Sequence, residues 1–121
     1  MRVHSFNYTN NSQLAQWNNE GREFNQAYKD NFVKVLRFAM IKAEGDTMVF
    51  PNEGEWWGHF ADGSLQKVLK MMDTVWYKND TFGLQTVDKA GKIFFNSTPG
   101  NHLQFSEYDL AWWVHNYFVD Q

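Results

Sequence analysis

The sequence of 121 residues contains no cysteine, which excludes thiolate nucleophiles, disulfides and zinc–thiolate sites within the chain. Basic residues are few: 11 Lys and Arg stand against 14 Asp and Glu, and the formal net charge is −3. A nucleic-acid partner requires a basic surface, so this balance argues against one. No apolar run reaches the ~18 residues that a membrane-spanning helix needs, and we predict no transmembrane segment.

The first twelve residues, MRVHSFNYTNNS, lack the apolar stretch of a signal peptide. If the protein is secreted, its signal lies upstream of Met1. N-glycosylation acceptor triplets nevertheless occur four times, which favours the secretory pathway over the reducing compartment that the missing cysteine alone would indicate. The candidate glycosylation sites are Asn7, Asn10, Asn79 and Asn96.

Aromatic residues are abundant instead, with 6 Trp, 5 Tyr and 11 Phe. Large rings bury much apolar area, so a dense core is one interpretation. A lipid- or glycan-binding surface is the other, and its candidate rings are Trp56, Trp57, Trp112 and Trp113.

The pattern along the chain indicates an α/β protein. Residues 1–24 are rich in Asn, Ser, Gln and Gly, and we predict a surface segment there. Residues 26–36 show helical spacing, and Phe38–Lys42 form a short apolar run that is typical of a buried parallel strand. The Lys67–Tyr77 stretch is mixed and does not distinguish helix from strand.

The second half of the chain repeats this alternation. A helix is predicted over Thr81–Ala90, with Asp80 as N-cap and Gly91 as C-terminal stop, followed by a buried strand over Lys92–Asn96. A last helix follows Ser106, which resembles the start of a capping box. Its predicted apolar face comprises Leu110, Trp113, Val114, Tyr117 and Phe118. Two such strands with a helix between them predict a βαβ unit.

Two polar residues follow the ends of the predicted strands, which is where function gathers in α/β sheets. Asp46 comes after the first strand and His102 after the second. In α/β-hydrolases the catalytic residues follow the chain order Ser, Asp or Glu, His, and the last two match here in type and order. The alternative is that Asp46 forms a turn and that His102 is a solvated loop residue.

Other catalytic patterns are missing or weak. No G-x-S-x-G motif exists, and Ser64 lacks the second glycine. The four histidines show no metal-ligand spacing and no Gly-rich loop follows a strand, so we predict neither metal nor cofactor. Glu53 and Glu55 beside two tryptophans resemble a glycosidase acid pair, although adjacent carboxylates on a loop are usually solvated.

From about Asn10 to its end, the chain resembles the C-terminal third of the palmitoyl-protein thioesterases. The matching stretches include Phe38–Lys42 leading into Asp46-Thr47-Met48-Val49, then Glu55-Trp56-Trp57-Gly58, and the block Gly100-Asn101-His102-Leu103-Gln104-Phe105-Ser106-Glu107. This resemblance implies a lysosomal α/β-hydrolase that removes fatty acyl chains from cysteine thioesters. It implies that Asp46 is the acid and His102 the histidine of a Ser–Asp–His triad, and that Met48 and Val49 line the acyl groove.

The nucleophilic serine and the oxyanion hole of the family lie upstream of Met1. We therefore expect the last two parallel strands and flanking helices of an α/β-hydrolase fold, with residues 25–121 as the acid and histidine end of one domain. The expected partners are the N-terminal portion that carries the serine and an S-acylated protein or acyl thioester. The isolated chain is predicted to be inactive and, because a sheet edge and a helix face are left uncovered, to be poorly soluble or to self-associate. The alternative is a non-catalytic remnant that binds lipid or glycan.

Overall fold

The computed structural model describes residues 6–119 of the chain. These residues form short helices and two small sheets, with two 3₁₀ helices at Asn52–Trp56 and Met71–Asp73. The α-helices are α1 (Phe6–Asn11), α2 (Gln13–Trp17), α3 (Gln26–Phe32), α4 (Val75–Lys78), α5 (Leu84–Lys89) and α6 (Glu107–Phe118), and the strands are β1 (Phe38–Ala43), β2 (His59–Phe60), β3 (Val68–Leu69) and β4 (Ile93–Thr98).

The central feature is a parallel pair of strands, β1 and β4. Their register runs from Phe38 opposite Ile93 to Ala43 opposite Thr98. Parallel strands need a long crossover connection, and here it contains β2, β3, α4 and α5. Both predicted strands are therefore confirmed within one or two residues, and the mixed helix and strand content with a parallel pair is compatible with an α/β fold.

The two faces of this pair are covered by different elements. On one face the Trp56 ring contacts Phe95 at 5.6 Å, and its indole nitrogen donates to the Met40 carbonyl at 3.1 Å. On the other face Phe94 packs against Tyr117 of α6 at 5.2 Å. Coverage on both faces explains why Phe38–Ile41 and Ile93–Phe95 are continuously apolar instead of alternating.

The buried core lies beside the strand pair. Phe32, Trp57 and Phe82 form a cluster of rings whose centroids are 5.0 to 6.3 Å apart. Leu84 is completely buried next to them. Rings from the 3₁₀ helix region, α3 and the crossover thus pack together, so this group of aromatic residues forms core.

Two predicted helices are shorter than expected. The helix predicted over residues 26–36 ends at Phe32. The one predicted over 81–90 begins at Leu84, because Gly83 precedes it with a φ of +98°. Asp80 is not its N-cap residue; its carboxylate accepts from the Thr86 backbone N–H at 3.1 Å and pairs with Lys29 at 2.8 Å.

The predicted helix ends at Gly91 and Ser106 are confirmed. Gly91 follows α5 with a φ of +69°, a conformation that favours glycine. Ser106 caps α6 through a full capping box: its side chain accepts from the Asp109 N–H at 3.1 Å, and Asp109 accepts from the Ser106 N–H at 2.9 Å.

The predicted apolar face of α6 is only half buried. Trp113 and Tyr117 are buried, whereas Leu110, Val114 and Phe118 are exposed by 48%, 46% and 56%. The predicted helix is confirmed over Glu107–Phe118, and two of the five residues of this face are buried. The helix is held through one row of side chains, and the neighbouring row faces outward.

The N-terminal segment is mostly exposed but has fixed points. Of the predicted surface segment 1–24, residues 1–5 lie outside the described residues. In the rest, α1 and α2 form, and Ala15 is completely buried. Asn19 donates from its side chain to the carbonyl of Thr81 at 3.1 Å, which ties this segment to the crossover.

Candidate active site

The loop after β1 buries one carboxylate. The Asp46 side chain has no exposed surface. Its Oδ1 accepts from the backbone N–H groups of Met48 at 2.6 Å and Val49 at 2.8 Å. Short polar side chains commonly close a turn in this way, and here the turn fixes the orientation of the carboxylate.

The loop after β4 approaches the loop after β1 closely. Gly45 donates from its backbone to the Gly100 carbonyl at 3.0 Å, and a Cβ at Gly45 would lie only 3.1 Å from that oxygen. A Cβ at Gly100 would lie 2.5 Å from the Gln104 carbonyl oxygen. Gly45 therefore permits the close contact between the two loops, and Gly100 permits the tight fold of the loop after β4.

These loops bring Asp46 and His102 together. The distance from His102 Nδ1 to Asp46 Oδ2 is 2.7 Å, and the His102 side chain remains 29% exposed. An ionised carboxylate only accepts hydrogen bonds, so Nδ1 carries the proton and Nε2 is left as the basic nitrogen. This arrangement fits a histidine that exchanges protons at Nε2.

Asn101 forms hydrogen bonds with both loops that carry Asp46 and His102. Its side-chain oxygen accepts from the backbone N–H groups of Thr47 at 3.0 Å and His102 at 2.6 Å. Its side-chain nitrogen donates to the Thr47 hydroxyl at 2.9 Å. One residue thus connects the two loops. In the sequence, Asn101 stood out only as part of the block around His102.

Glu55 is a residue whose place the sequence did not reveal. Its Oε2 accepts from the backbone N–H of Ala43 at 2.7 Å, and its Oε1 lies 4.0 Å from His102 Nδ1. Glu53 instead pairs with Lys42 at 3.2 Å. The two glutamates therefore have separate partners, which does not support a glycosidase acid pair, and Glu55 is held against the strand end instead of being solvated.

The two carboxyl groups differ in their pKa values. Burial acts to raise the pKa of Asp46, but hydrogen bonds from the Val49 backbone, His102, the Met48 backbone and Glu55 outweigh it and hold the pKa at about 2. Burial raises the pKa of Glu55, and Asp46 raises it further, against the lowering effect of the Ala43 N–H and His102. Asp46 therefore stays ionised in acid, whereas Glu55 takes up a proton more readily than an ordinary glutamate.

Asp46, Glu55 and His102 each place one oxygen or ring nitrogen within 4.8 Å of the others, a spacing that suits a metal ion. His102 Nδ1, however, already donates to Asp46 at 2.7 Å. A cation bound by all three would have to replace this hydrogen bond. The observed geometry is that of a carboxylate–imidazole pair with a second carboxyl group beside it.

The predicted groove residues lie next to the site. Met48 is 75% exposed and Val49 is half-buried. Phe50, beside them, is 81% exposed. Met48 and Val49 are tied to the Asp46 carboxylate by their backbone N–H groups, and Phe50 follows them directly.

The four candidate glycosylation sites differ in environment. Asn7 and Asn79 are exposed, and Asn10 is half-buried. The Asn96 side chain donates to the Tyr117 hydroxyl at 3.0 Å, beneath α6. A glycan on Asn96 would break this bond, so Asn7 and Asn79 are better suited to carry one.

Comparison with known proteins decides the family. The palmitoyl protein thioesterase family profile matches residues 2–102 of the chain, a stretch that includes Asp46, Glu55 and His102. The chain belongs to the palmitoyl-protein thioesterase family. Palmitoyl-protein thioesterase 1 of Caenorhabditis elegans is 36% identical over 91 residues, which are 75% of this chain.

Two further relatives are also thioesterases by name. Palmitoyl-protein thioesterase 3 of Dictyostelium discoideum is 33% identical over 89 residues, or 74% of this chain, and a lysosomal thioesterase of Xenopus laevis is 30% identical over 108 residues, or 82%. The match covers 30%, 31% and 37% of the worm, Dictyostelium and frog relatives. The chain thus spans about a third of the length of these relatives.

No helix among residues 6–119 is both long and apolar enough to cross a bilayer.

Proposed function

We propose that this chain supplies the acid and the histidine of a Ser–Asp–His thioester hydrolase, which removes palmitoyl-type fatty acyl groups from S-acylated cysteines. The observation that carries the proposal is the 2.7 Å hydrogen bond between Asp46 and His102 at the carboxyl end of a parallel strand pair. Membership of the thioesterase family supports the reaction class.

In this mechanism Nε2 of His102 takes the proton of a serine hydroxyl while the serine oxygen attacks the thioester carbonyl. The tetrahedral intermediate collapses as its carbon–sulfur bond breaks, and His102 returns the proton to the departing cysteine sulfur. A water molecule, activated by the same nitrogen, then hydrolyses the acyl-serine and releases the fatty acid. Asp46 keeps the imidazole oriented and stabilises its protonated form.

The nucleophilic serine belongs to a portion of the enzyme outside this chain. Ser106, the serine nearest to His102 in sequence, donates its hydroxyl to Asp109 at 2.7 Å and caps α6. The 121 residues alone are therefore expected to be inactive. Residues 25–121 would form the acid and histidine end of a single α/β-hydrolase domain, with 1–24 as a surface segment.

The sheet supports the same division. Among residues 6–119, β1 pairs only with β4, so its other edge has no strand partner. Open edges of parallel sheets are normally covered. A strand from the serine-bearing portion would complete the sheet at β1, and Met48 and Val49 would then contribute to the acyl groove.

A lysosomal or secretory location fits the exposed acceptor residues Asn7 and Asn79. The Xenopus laevis relative is a lysosomal thioesterase by name. Glycan analysis of the protein from its source tests this part of the proposal.

Binding of lipid or glycan without catalysis is not favoured. Of the rings that it would use, Trp113 is buried and Trp57 packs against Phe82 at 5.0 Å. Trp56 lies over the Lys42 ammonium group at 4.1 Å. Three of the four candidate tryptophans thus already have partners within the protein.

The test uses the protein purified from its native source and treated with a covalent serine-hydrolase probe, followed by peptide mapping. We expect a labelled serine on a segment that accompanies this chain, and a loss of thioesterase activity by several orders of magnitude in His102→Ala. His115→Ala, which changes an exposed histidine on α6, is the matched control. Absence of any labelled serine, or full activity in His102→Ala, contradicts the proposal.

A further inference from the structure

Glu55 is fixed in place by the end of β1. It lies on the 3₁₀ helix Asn52–Trp56, whose last residue is anchored by the bond from its indole nitrogen to Met40. Glu55 Oε2 accepts the Ala43 N–H at 2.7 Å, and the side chain is only 15% exposed. The other carboxyl oxygen therefore has little freedom and is directed at the Asp46–His102 pair.

The Oε1 oxygen of Glu55 lies beside a second carboxyl group and an imidazole. One oxygen of Glu55 and one of Asp46 lie within 4.8 Å of each other and of a His102 ring nitrogen. Among the described residues, Lys42 is paired with Glu44 and Glu53, and no ion pair brings a lysine or arginine to Glu55. If both carboxyl groups were ionised, two negative charges would lie beside one imidazole, with no other cation among residues 6–119 paired to them.

Such pairs commonly keep one carboxyl group protonated. The two groups here are also distinguished by their hydrogen bonds. Asp46 Oδ1 accepts two backbone N–H groups, and Oδ2 accepts from His102. Glu55 accepts one backbone N–H. The proton is therefore expected on Glu55, in agreement with the opposite directions of their pKa shifts.

We propose that Glu55 is a positioning residue, which donates a carboxylic acid O–H to Asp46 while its other oxygen accepts the Ala43 N–H. The acid would hold Asp46 in line with His102 Nδ1 and leave a single negative charge beside the imidazole. The expected effect of Glu55 on the reaction rate rests on the function proposed above. The hydrogen bond from Glu55 to Asp46 does not depend on that function.

The proton on Glu55 is measured directly by carbon NMR of the side-chain carboxyl groups in the full protein, labelled at Glu. The Glu55 signal is identified by its loss in Glu55→Gln. We expect it to titrate above the ordinary value of 4.5. A midpoint at or below that value would show an ionised Glu55 and overturn the proposal, whatever the activity of the enzyme.

The positioning role is measured by kinetics with two variants. Glu55→Gln keeps both bonds, because its amide nitrogen donates to Asp46 and its oxygen accepts from Ala43. We expect kcat within about threefold of the natural protein and an unmoved acid limb of the pH–rate profile. Glu55→Ala removes both bonds and should lower kcat by about 10- to 100-fold with little change in KM, as misplaced catalytic groups do.

Glu53→Gln is the matched control, because it alters the neighbouring glutamate that binds Lys42 instead. Equal kcat values in Glu55→Ala and Glu55→Gln would overturn the positioning role. So would an acid limb shifted to lower pH in Glu55→Gln, which means that a negative charge had been removed. If Glu55→Ala does not fold, the pH–rate profile of Glu55→Gln and the NMR titration still test whether Glu55 is protonated. Full activity of His102→Ala would contradict the proposed function and leave the titration result standing.

Discussion

The carboxyl end of the strand pair and the outward side of α6 are opposite cases. At the strand end, polar side chains are held by several bonds each: Asn101 alone connects Thr47 to His102. On α6, Leu110 and Phe118 are large, apolar and about half exposed. In the first region, hydrogen bonds within residues 6–119 hold Asp46 and His102 in place, whereas the second has a surface that nothing in residues 6–119 covers. Hydrogen bonds between neighbouring loops can fix polar side chains in place. Large apolar side chains are buried only when further protein covers them.

Replacing the acid tests the first region most severely. Asp46→Asn should lower the rate by about 10⁴-fold, because an amide at this position favours the wrong tautomer of His102. Thioesterase assays of the full protein measure the effect, and Asp62→Asn, on an exposed loop, is the control. Comparable rates in the two variants would show that Asp46 does not orient the histidine.

Removing the Asn101 side chain, which connects the two loops, should have a smaller effect on the rate. Asn101→Ala leaves the backbone N–H groups of Thr47 and His102 without their acceptor. We expect about 2 kcal/mol less stability and a rate about tenfold lower. Denaturant melts and kinetics on the same samples measure both. A variant with unchanged stability would mean that the loops are fixed by the glycine contacts alone.

The second region is tested through self-association. The double variant Leu110→Gln, Phe118→Gln should shift the isolated chain towards monomer, because it removes exposed apolar surface. Sedimentation velocity at several concentrations measures this, with His115→Gln on the same helix as control. A natural chain that sediments as one monomeric species and melts cooperatively would contradict the predicted self-association.

The smallest effect is expected at the start of α6. Ser106→Ala removes the side-chain acceptor of the Asp109 N–H and should reduce stability by about 1 kcal/mol. Thermal melts measure it, and Ser106→Thr, which keeps the hydroxyl, should recover most of the loss. If activity falls together with stability, the helix start also supports the loop that carries His102.

Sequence patterns predicted the parts of the fold that depend on neighbouring residues. The apolar runs at Phe38–Lys42 and Lys92–Asn96 mark β1 and β4, because strands buried on both faces need apolar side chains throughout. Ser106 and Gly91 mark helix ends through local hydrogen bonding and backbone conformation. The resemblance singled out Asp46 and His102, and the strand order predicts that their loops share one edge of the sheet.

The start of α5 and the place of Glu55 were not predictable in this way. Asp80 has the chemistry of an N-cap, but its pairing with Lys29, distant in sequence, competes with that use. Glu55 stands beside Glu53 on an irregular stretch, and nothing in the local pattern distinguishes the two. Only the path of the chain brings Glu55 to Ala43.

By itself, then, the sequence determined strands β1 and β4, the helix ends at Gly91 and Ser106, and the family. The tertiary structure decided which side chains meet: Asp46 with His102 across two loops, Glu55 with the end of β1, and Tyr117 instead of Phe118 against Phe94 of β4. The physical reason is distance along the chain. Propensities and caps act over a few residues, whereas the contacts that form this site join residues up to 56 positions apart.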